Sequence, residues 1–304
     1  MAGNRIERRE NKEFFILTLP WIVIFLVMGL YPLLYGLYLS FTNYSGFNFS
    51  TVSFVGLRNY NTVFNDSDAM YALGRSFLIG FINVIFATVI SFFLALLLNN
   101  NFRGNHLYTA LFYLPSILPI TAVSIMWKSI FSSNGILNDF LHLLGLKSIN
   151  WVGYEYSTLS LLILLCWGCG GGIIIYLAGF KGISIELYEA ASIDGANAFQ
   201  RFKGITIPLM TPVIFFNLIF GIINSLQIFI QATVLTSSGI LGVPIRPLYL
   251  YLIHAFQQIF SYQRYAYGLA LLWVLFVITI LLTIIVFGTS RLWVHYESGT
   301  RKGR

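Results

Sequence analysis

Glu189-Ala190-Ala191-Ser192-Ile193-Asp194-Gly195-Ala196, running on through Phe199 and Phe202 to Ile205-Thr206-Ile207-Pro208 and then Pro212, is the stretch that decides how this chain reads. It is polar enough to leave a bilayer, yet long apolar runs flank it on both sides. So patterned a loop reads as a docking element. Ile183 to Ala191 is expected to form a short helix with Ser184 as its N-cap. Gly195 is expected to break it, because glycine tolerates a positive φ. Beyond the break, Ala198, Phe199 and Phe202 recur at helical spacing and are expected to form one apolar face. Pro208 and Pro212 are expected to stop that second helix and open the next span. Ala190, Ala191 and Ala196 supply a small face that fits a groove, and Glu189 supplies a directional polar anchor. Asp194 is assigned to the turn, where it would accept from backbone amides. The competing reading is a helix lying on lipid headgroups, which would favour several lysines over Glu189 and Asp194.

Working outward, the 304 residues are 57% hydrophobic and only 10% charged. A soluble domain carries about 25% charged residues. The expected fold class is therefore an all-α polytopic membrane protein. Six runs are long enough to cross about 30 Å of hydrocarbon. They cover roughly residues 14–41, 76–99, 108–131, 158–179, 211–235 and 265–289. A tail of residues 1–13, a loop of residues 180–210 and a tail of residues 290–304 complete the plan. The first run is too long for a cleaved leader and reads as a retained span. No Asp, Glu, Lys or Arg interrupts the cores of the six runs. Lys128, near the outer end of the third, is placed to snorkel to the interface.

Lys and Arg counts orient the chain. Four lie in the N-terminal tail, one after span two, three in the 180–210 loop and four at the C-terminal end, which is twelve of the eighteen. The opposite side holds Arg58, Arg75, Lys128, Lys147, Arg246 and Arg264. The positive-inside rule then places both termini and the Glu189 loop in the cytoplasm. The net charge of +7 is accounted for by anionic headgroups and requires no nucleic acid. Cys166 and Cys169 lie three apart on one apolar span and read as small packing residues. The four histidines are scattered and suggest no metal site. There is no phosphate-binding loop, so nucleotide chemistry would belong to a partner. The outer loops, about 25–35 residues each, either cap an outer mouth or receive an external partner, or simply pack on headgroups.

The Glu189 segment resembles the signature loop of ATP-binding-cassette importer permeases: Glu-Ala-Ala, three residues, Gly, nine residues, Ile, one residue, Leu-Pro. The chain matches it at Glu189-Ala190-Ala191, Gly195, Ile205 and Pro208, with Ile207 in place of leucine. Phe54-Val55-Gly56-Leu57-Arg58-Asn59-Tyr60, Phe112-Tyr113-Leu114-Pro115, and Trp127 followed by Gly135-Ile136-Leu137-Asn138 resemble the carbohydrate branch of that family, the maltose and glycerol-3-phosphate type. The resemblance implies a MetI-like type I permease fold in a bacterial cytoplasmic membrane. It implies that Glu189, Ala190, Ala191, Asp194, Gly195, Phe199, Phe202 and Pro208 dock into a cytoplasmic ATPase. It also implies a second, homologous permease chain as heterodimer partner, two ATPase copies holding ATP and Mg, and an extracytoplasmic sugar-binding protein. No cofactor is expected on this chain, and no catalysis.

Asn217, Asn224, Gln227 and Gln231 on span five fall within about 80° of arc on an ideal helix. A polar stripe on an apolar helix faces protein or water. Amides both donate and accept, which suits a neutral polyol. Holding helices together is the other reading of the stripe. Trp167 is suited to stack on a sugar ring, and Gly168 and Gly172 either admit a ligand or pack helices. Counted from the signature loop, Trp167, Gly168, Gly221 and Ser225 fall where resembling permeases contact sugar. An ion-coupled secondary transporter is the alternative; it would place charged groups in its spans and show inverted repeats. An intramembrane enzyme would need paired catalytic groups at membrane depth, and none is present.

Overall fold

The structure is a computed structural model that describes residues 3–47, 50, 52–100, 102–237 and 242–295. Arg301, Lys302 and Arg304 of the expected basic tail, and the side chains of residues 1–13, fall outside that description. Among the described residues the chain is helical, with one isolated β-bridge between Thr42 and Phe54. Four helical stretches are individually long and apolar enough to span a membrane: Phe14–Ser40, Ser67–Leu98, Ala198–Leu226 and Tyr265–Trp293. Two further helix pairs, each bent at a short break, are together long and apolar enough to count as one span each, which makes six.

The first span joins α1 (Gly3–Ile24) to α2 (Tyr31–Ser40) through a π-helical turn, Phe25–Leu30. The Tyr31 N–H reaches back five residues to the Leu26 carbonyl, which widens the helix just before Pro32. After α3 (Arg58–Asn65), α4 (Ser67–Leu98) starts nine residues earlier than the expected span. Its 32 residues extend about 48 Å, so its first turns stand clear of the hydrocarbon.

The expected straight span 108–131 is instead α5 (Asn105–Ile117) and α6 (Ile120–Ile130), bent by 100°. Proline disfavours the helical region in the residue before it; Leu118, ahead of Pro119, is extended at ψ 144. Following α7 (Ile136–Leu143), the fourth span is α8 (Ser157–Trp167) and α9 (Gly170–Lys181), bent by 42°. The break falls at Gly168 and Cys169, where the amides form short bonds to Leu165 and Cys166.

α10 (Ile185–Ile193) and α11 (Ala198–Arg201) make the two arms of the signature loop. The expected stop at Pro208 and Pro212 does not occur. α11 passes through a π turn, Phe202–Thr206, into α12 (Ile207–Leu226) as one 29-residue helix. The wide turn makes room for the Pro208 ring. The Thr211 hydroxyl donates to the Pro208 carbonyl at 2.6 Å, serving the acceptor that Pro212 has no N–H to serve. The expected fifth span also ends early. The helix stops at Leu226, and the chain resumes as α13 (Ile230–Thr236). Beyond lie α14 (Tyr251–Phe260), within the last of the expected outer loops, and α15 (Tyr265–Trp293).

The chain divides into two compact units. One comprises Met1–Asp66 and Ala255–Val274. In it the Asn59 amide donates to the carbonyls of Ser40 and Thr42, both at 2.8 Å. Tyr267 donates to Asp66 at 2.6 Å. The Phe54–Tyr60 motif thus pins the end of the first span through side-chain bonds to its backbone.

The second unit, Ser67–His254 and Leu275–Arg304, holds the signature loop. α4 is its centre, packed against α8, α9 and α12. Phe92, Leu98, Ile173, Tyr176, Phe180 and Met210 form a buried cluster where the loop joins the bundle. Lys128 Nζ donates to the Ser237 carbonyl at 2.7 Å, at the C-terminal end of α13, where a cation complements the helix dipole. Asp68 accepts from Arg246 at 2.7 Å, and that bond raises the Arg246 guanidinium above its ordinary pKa. Both side chains are about half exposed, so the pair adds little stability.

Candidate functional site

A cavity of about 480 Å³ opens among α4, α8, α9 and α12. Asn83, Thr88 and Ser91 line it from α4, Gly168 and Gly172 from the broken span, and Asn217, Gly221, Asn224 and Ser225 from α12. No Asp, Glu, Lys or Arg is among its lining residues. The close helix contacts that frame it depend on missing side chains. A Cβ on Gly170 would run into the Phe112 carbonyl, and one on Gly172 would stand 2.9 Å from Ser91 Oγ. Gly168 meets only its own helix carbonyls and stays open toward the cavity. Ser91 donates to the Cys169 carbonyl at 3.0 Å, satisfying an acceptor at the break in the span.

Asn217 and Asn224 of the expected stripe share this cavity, whereas Gln227 and Gln231 do not. α12 ends at Leu226, so the last two leave its register. Gln227 is exposed past the helix end. Gln231 lines a second cavity of about 260 Å³, together with Ser116, Leu165 and Gly168. Those three residues also border the first cavity. Trp167 lines neither: its ring stands edge-on to Trp127 at 5.9 Å. Ser225 is buried, and its Oγ accepts from Asn83 Nδ2 at 3.0 Å. Asn83 Oδ1 is buried without a hydrogen-bond partner among the described residues. Asn83, Thr88 and Ser91 stand out in sequence as polar side chains in a largely apolar span.

The loop is built from local rules. Ser184 accepts from the Glu186 amide at 3.3 Å, as an N-cap. α10 ends with Gly195 at φ +79. Ala196 bonds back to Ala191 at 2.9 Å and Gly195 to Ser192 at 3.1 Å, a Schellman stop. Asp194 does not close the turn as expected, since its carboxylate has no hydrogen-bond partner among the described residues. Asn197 does so instead, in a reciprocal capping box with Gln200, a pattern visible in sequence as Asn-x-x-Gln. Arg201 donates to Ser192 at 2.7 Å and Tyr188 pairs with Thr206 at 2.9 Å, bracing the two arms.

Phe199 and Phe202 do not form one face. Phe199 is 70% exposed, while Phe202 packs on the buried Phe92 ring at 6.4 Å. Ile193, at 88%, and Ile185, at 72%, are also exposed. Glu189 is exposed on a shallow cavity shared with Tyr188, Ser192, Ile193 and Arg201. Ala190 is exposed; Ala191 and Ala196 are half-buried, and Pro208 lies half-buried in the continuous helix.

The family described as "binding-protein-dependent transport system inner membrane component" matches residues 87–294. The chain belongs to that family. This permease is 38% identical over 302 residues to the probable ABC transporter permease protein YesP of Bacillus subtilis, covering 98% of this chain and 96% of that one. It is 31% identical to the trehalose/maltose transport system permease protein MalF of Thermococcus litoralis, over 78% of this chain and 81% of the relative. It is also 31% identical to the arabinooligosaccharides transport system permease protein AraP of Bacillus subtilis, over 89% and 86%. A chain of the crystal structure of a bacterial alginate ABC transporter, in complex with an alginate pentasaccharide-bound periplasmic protein, superposes with TM-score 0.81. That match has 21% identity and covers 94% of this chain and 96% of the other, which establishes a shared fold. The permease is thus an inner-membrane component with the fold of ABC importer permeases.

Proposed function

We propose that this chain forms one half of the translocation path of an ATP-driven importer for a neutral oligosaccharide or related polyol. The observation that carries the reading is the 480 Å³ cavity edged by Asn83, Thr88, Ser91, Asn217 and Asn224 and free of charged side chains. Its size is that of a small-molecule site. Amides and hydroxyls exchange hydrogen bonds with sugar hydroxyls in either direction. Gly168, Ser116 and Leu165 border this cavity and the Gln231 cavity alike, so the solute's route runs past the break in the fourth span. Gly221 and Ser225 hold α12 on α4 and shape the wall.

The energy would come from elsewhere. Glu189 and Ala190, the half-buried Ala191, the Gly195 turn and exposed Phe199 form the face offered to a cytoplasmic ATPase. Phe202 and Pro208 tie that face to the bundle. ATP and Mg would reside on two ATPase copies, and this chain itself would be non-catalytic. A second, homologous permease would supply the other half of the path, and a sugar-binding protein would deliver the solute. The sugar-transport names of the relatives and the unpaired apolar groups around Glu189 both support this arrangement.

Uptake of the cognate sugar by the reconstituted complex tests it. Asn224→Leu should cut ATP-dependent uptake at least tenfold, the order expected when a polar partner is left unpaired, with every subunit still bound. Unchanged uptake kinetics in that variant would remove Asn224 from the path.

A further inference from the structure

A separate cavity, of about 430 Å³, lies at the Leu98 end of α4. Leu98, Asn99, Arg103, His106 and Lys181 are among its lining residues, and no carboxylate is. Arg103, His106 and Lys181 are exposed, and neither Arg103 nor Lys181 has an ion-pair partner among the described residues. The start of α5 also borders it. Gly104 precedes that helix at φ +89 and leaves it without a side-chain cap. The amides of His106 and Leu107 accordingly meet no acceptor among the described residues, and the positive end of the helix dipole adds to the two fixed charges.

The level of the cavity identifies the occupant. Leu98 is the last residue of the long apolar α4, and Lys181 is the last residue of α9. Apolar helix gives way to polar chain at both, which is headgroup depth. Leu97 and Leu107 beside it are 62% and 64% exposed, an apolar surface suited to acyl chains. We propose that this cavity binds the phosphodiester of an anionic phospholipid, with Arg103 and Lys181 on the phosphate and His106 and the α5 amides as further donors. The inference needs the chain to lie in the membrane with this end at the cytoplasmic leaflet. It does not depend on which solute crosses, so a failed transport assay leaves it standing.

The test is native mass spectrometry of the detergent-purified complex titrated with phosphatidylglycerol, phosphatidylcholine or inorganic phosphate. Phosphatidylglycerol should bind more tightly than phosphatidylcholine, and millimolar inorganic phosphate should not displace it. R103Q and K181Q should each weaken phosphatidylglycerol binding about fivefold, and the double variant about thirtyfold. R103K/K181R, which retains both charges, should bind as the unsubstituted complex does. So should K203Q/R291Q, which removes two basic groups outside the cavity. The proposal is overturned if R103Q/K181Q binds phosphatidylglycerol normally, or if K203Q/R291Q loses as much. Equal binding of phosphatidylcholine overturns it too, as does displacement by phosphate, which would mark a free-anion site.

Discussion

One absent carbon at position 170 lets two helices touch. The Gly170 backbone lies against the Phe112 carbonyl, with no room for a methyl group. Gly171, one residue on, has open space where its Cβ would be. The two positions look alike in sequence and behave oppositely. Gly170→Ala should destabilise the bundle by about 1–3 kcal/mol, the usual cost of overpacking. Gly171→Ala should be neutral or slightly stabilising, because alanine favours helix over glycine. Thermal unfolding of the two purified variants checks this, and equal melting temperatures would contradict the close approach. Asn83 is visible in sequence as a polar residue, but its role is not. A single amide in an apolar run carries no direction until its Ser225 partner, 142 positions away, is brought to it.

At the scale of elements, the loop was readable and the spans were only partly so. Ser184 as cap and Gly195 as break are local chemistry, and local chemistry survives folding. The Leu118-Pro119 bend had its cause in plain view, yet hydropathy alone merges α5 and α6 into one span. The break after Leu226 has no proline or glycine to announce it, so the four-residue stripe was drawn on a helix that ends too soon. Pro208 was misread for the opposite reason, since π widening and the Thr211 hydroxyl absorb what prolines ordinarily disrupt. The exposed arm α10 carries the sharpest expectation. Glu189→Ala should weaken ATPase docking about tenfold or more, the loss of one charge-assisted hydrogen bond, while insertion into the membrane stays intact. ATPase retained on affinity-captured permease is the measurement, and full retention with normal uptake would take the coupling role away from Glu189.

For the whole molecule, the proposed partnership with an ATPase is open to direct capture. The span cores carry no Asp, Glu, Lys or Arg, the groups an ion-coupled carrier would place there. Capture of the tagged chain from a mild detergent extract should bring down an ATPase and a second permease. Uphill solute movement in vesicles holding this chain alone would contradict that. The helix from Ala198 to Leu226 sets the mechanics. Phe199 at one end and Asn224 near the other sit on a single continuous rod, about 38 Å apart. The π turn, Phe202–Thr206, lies between the docking arm and the rest of that helix. On the proposed docking role, a push at the Phe199 end would reach Asn224 as a tilt of this helix and would tie the position of its amides to the ATPase cycle.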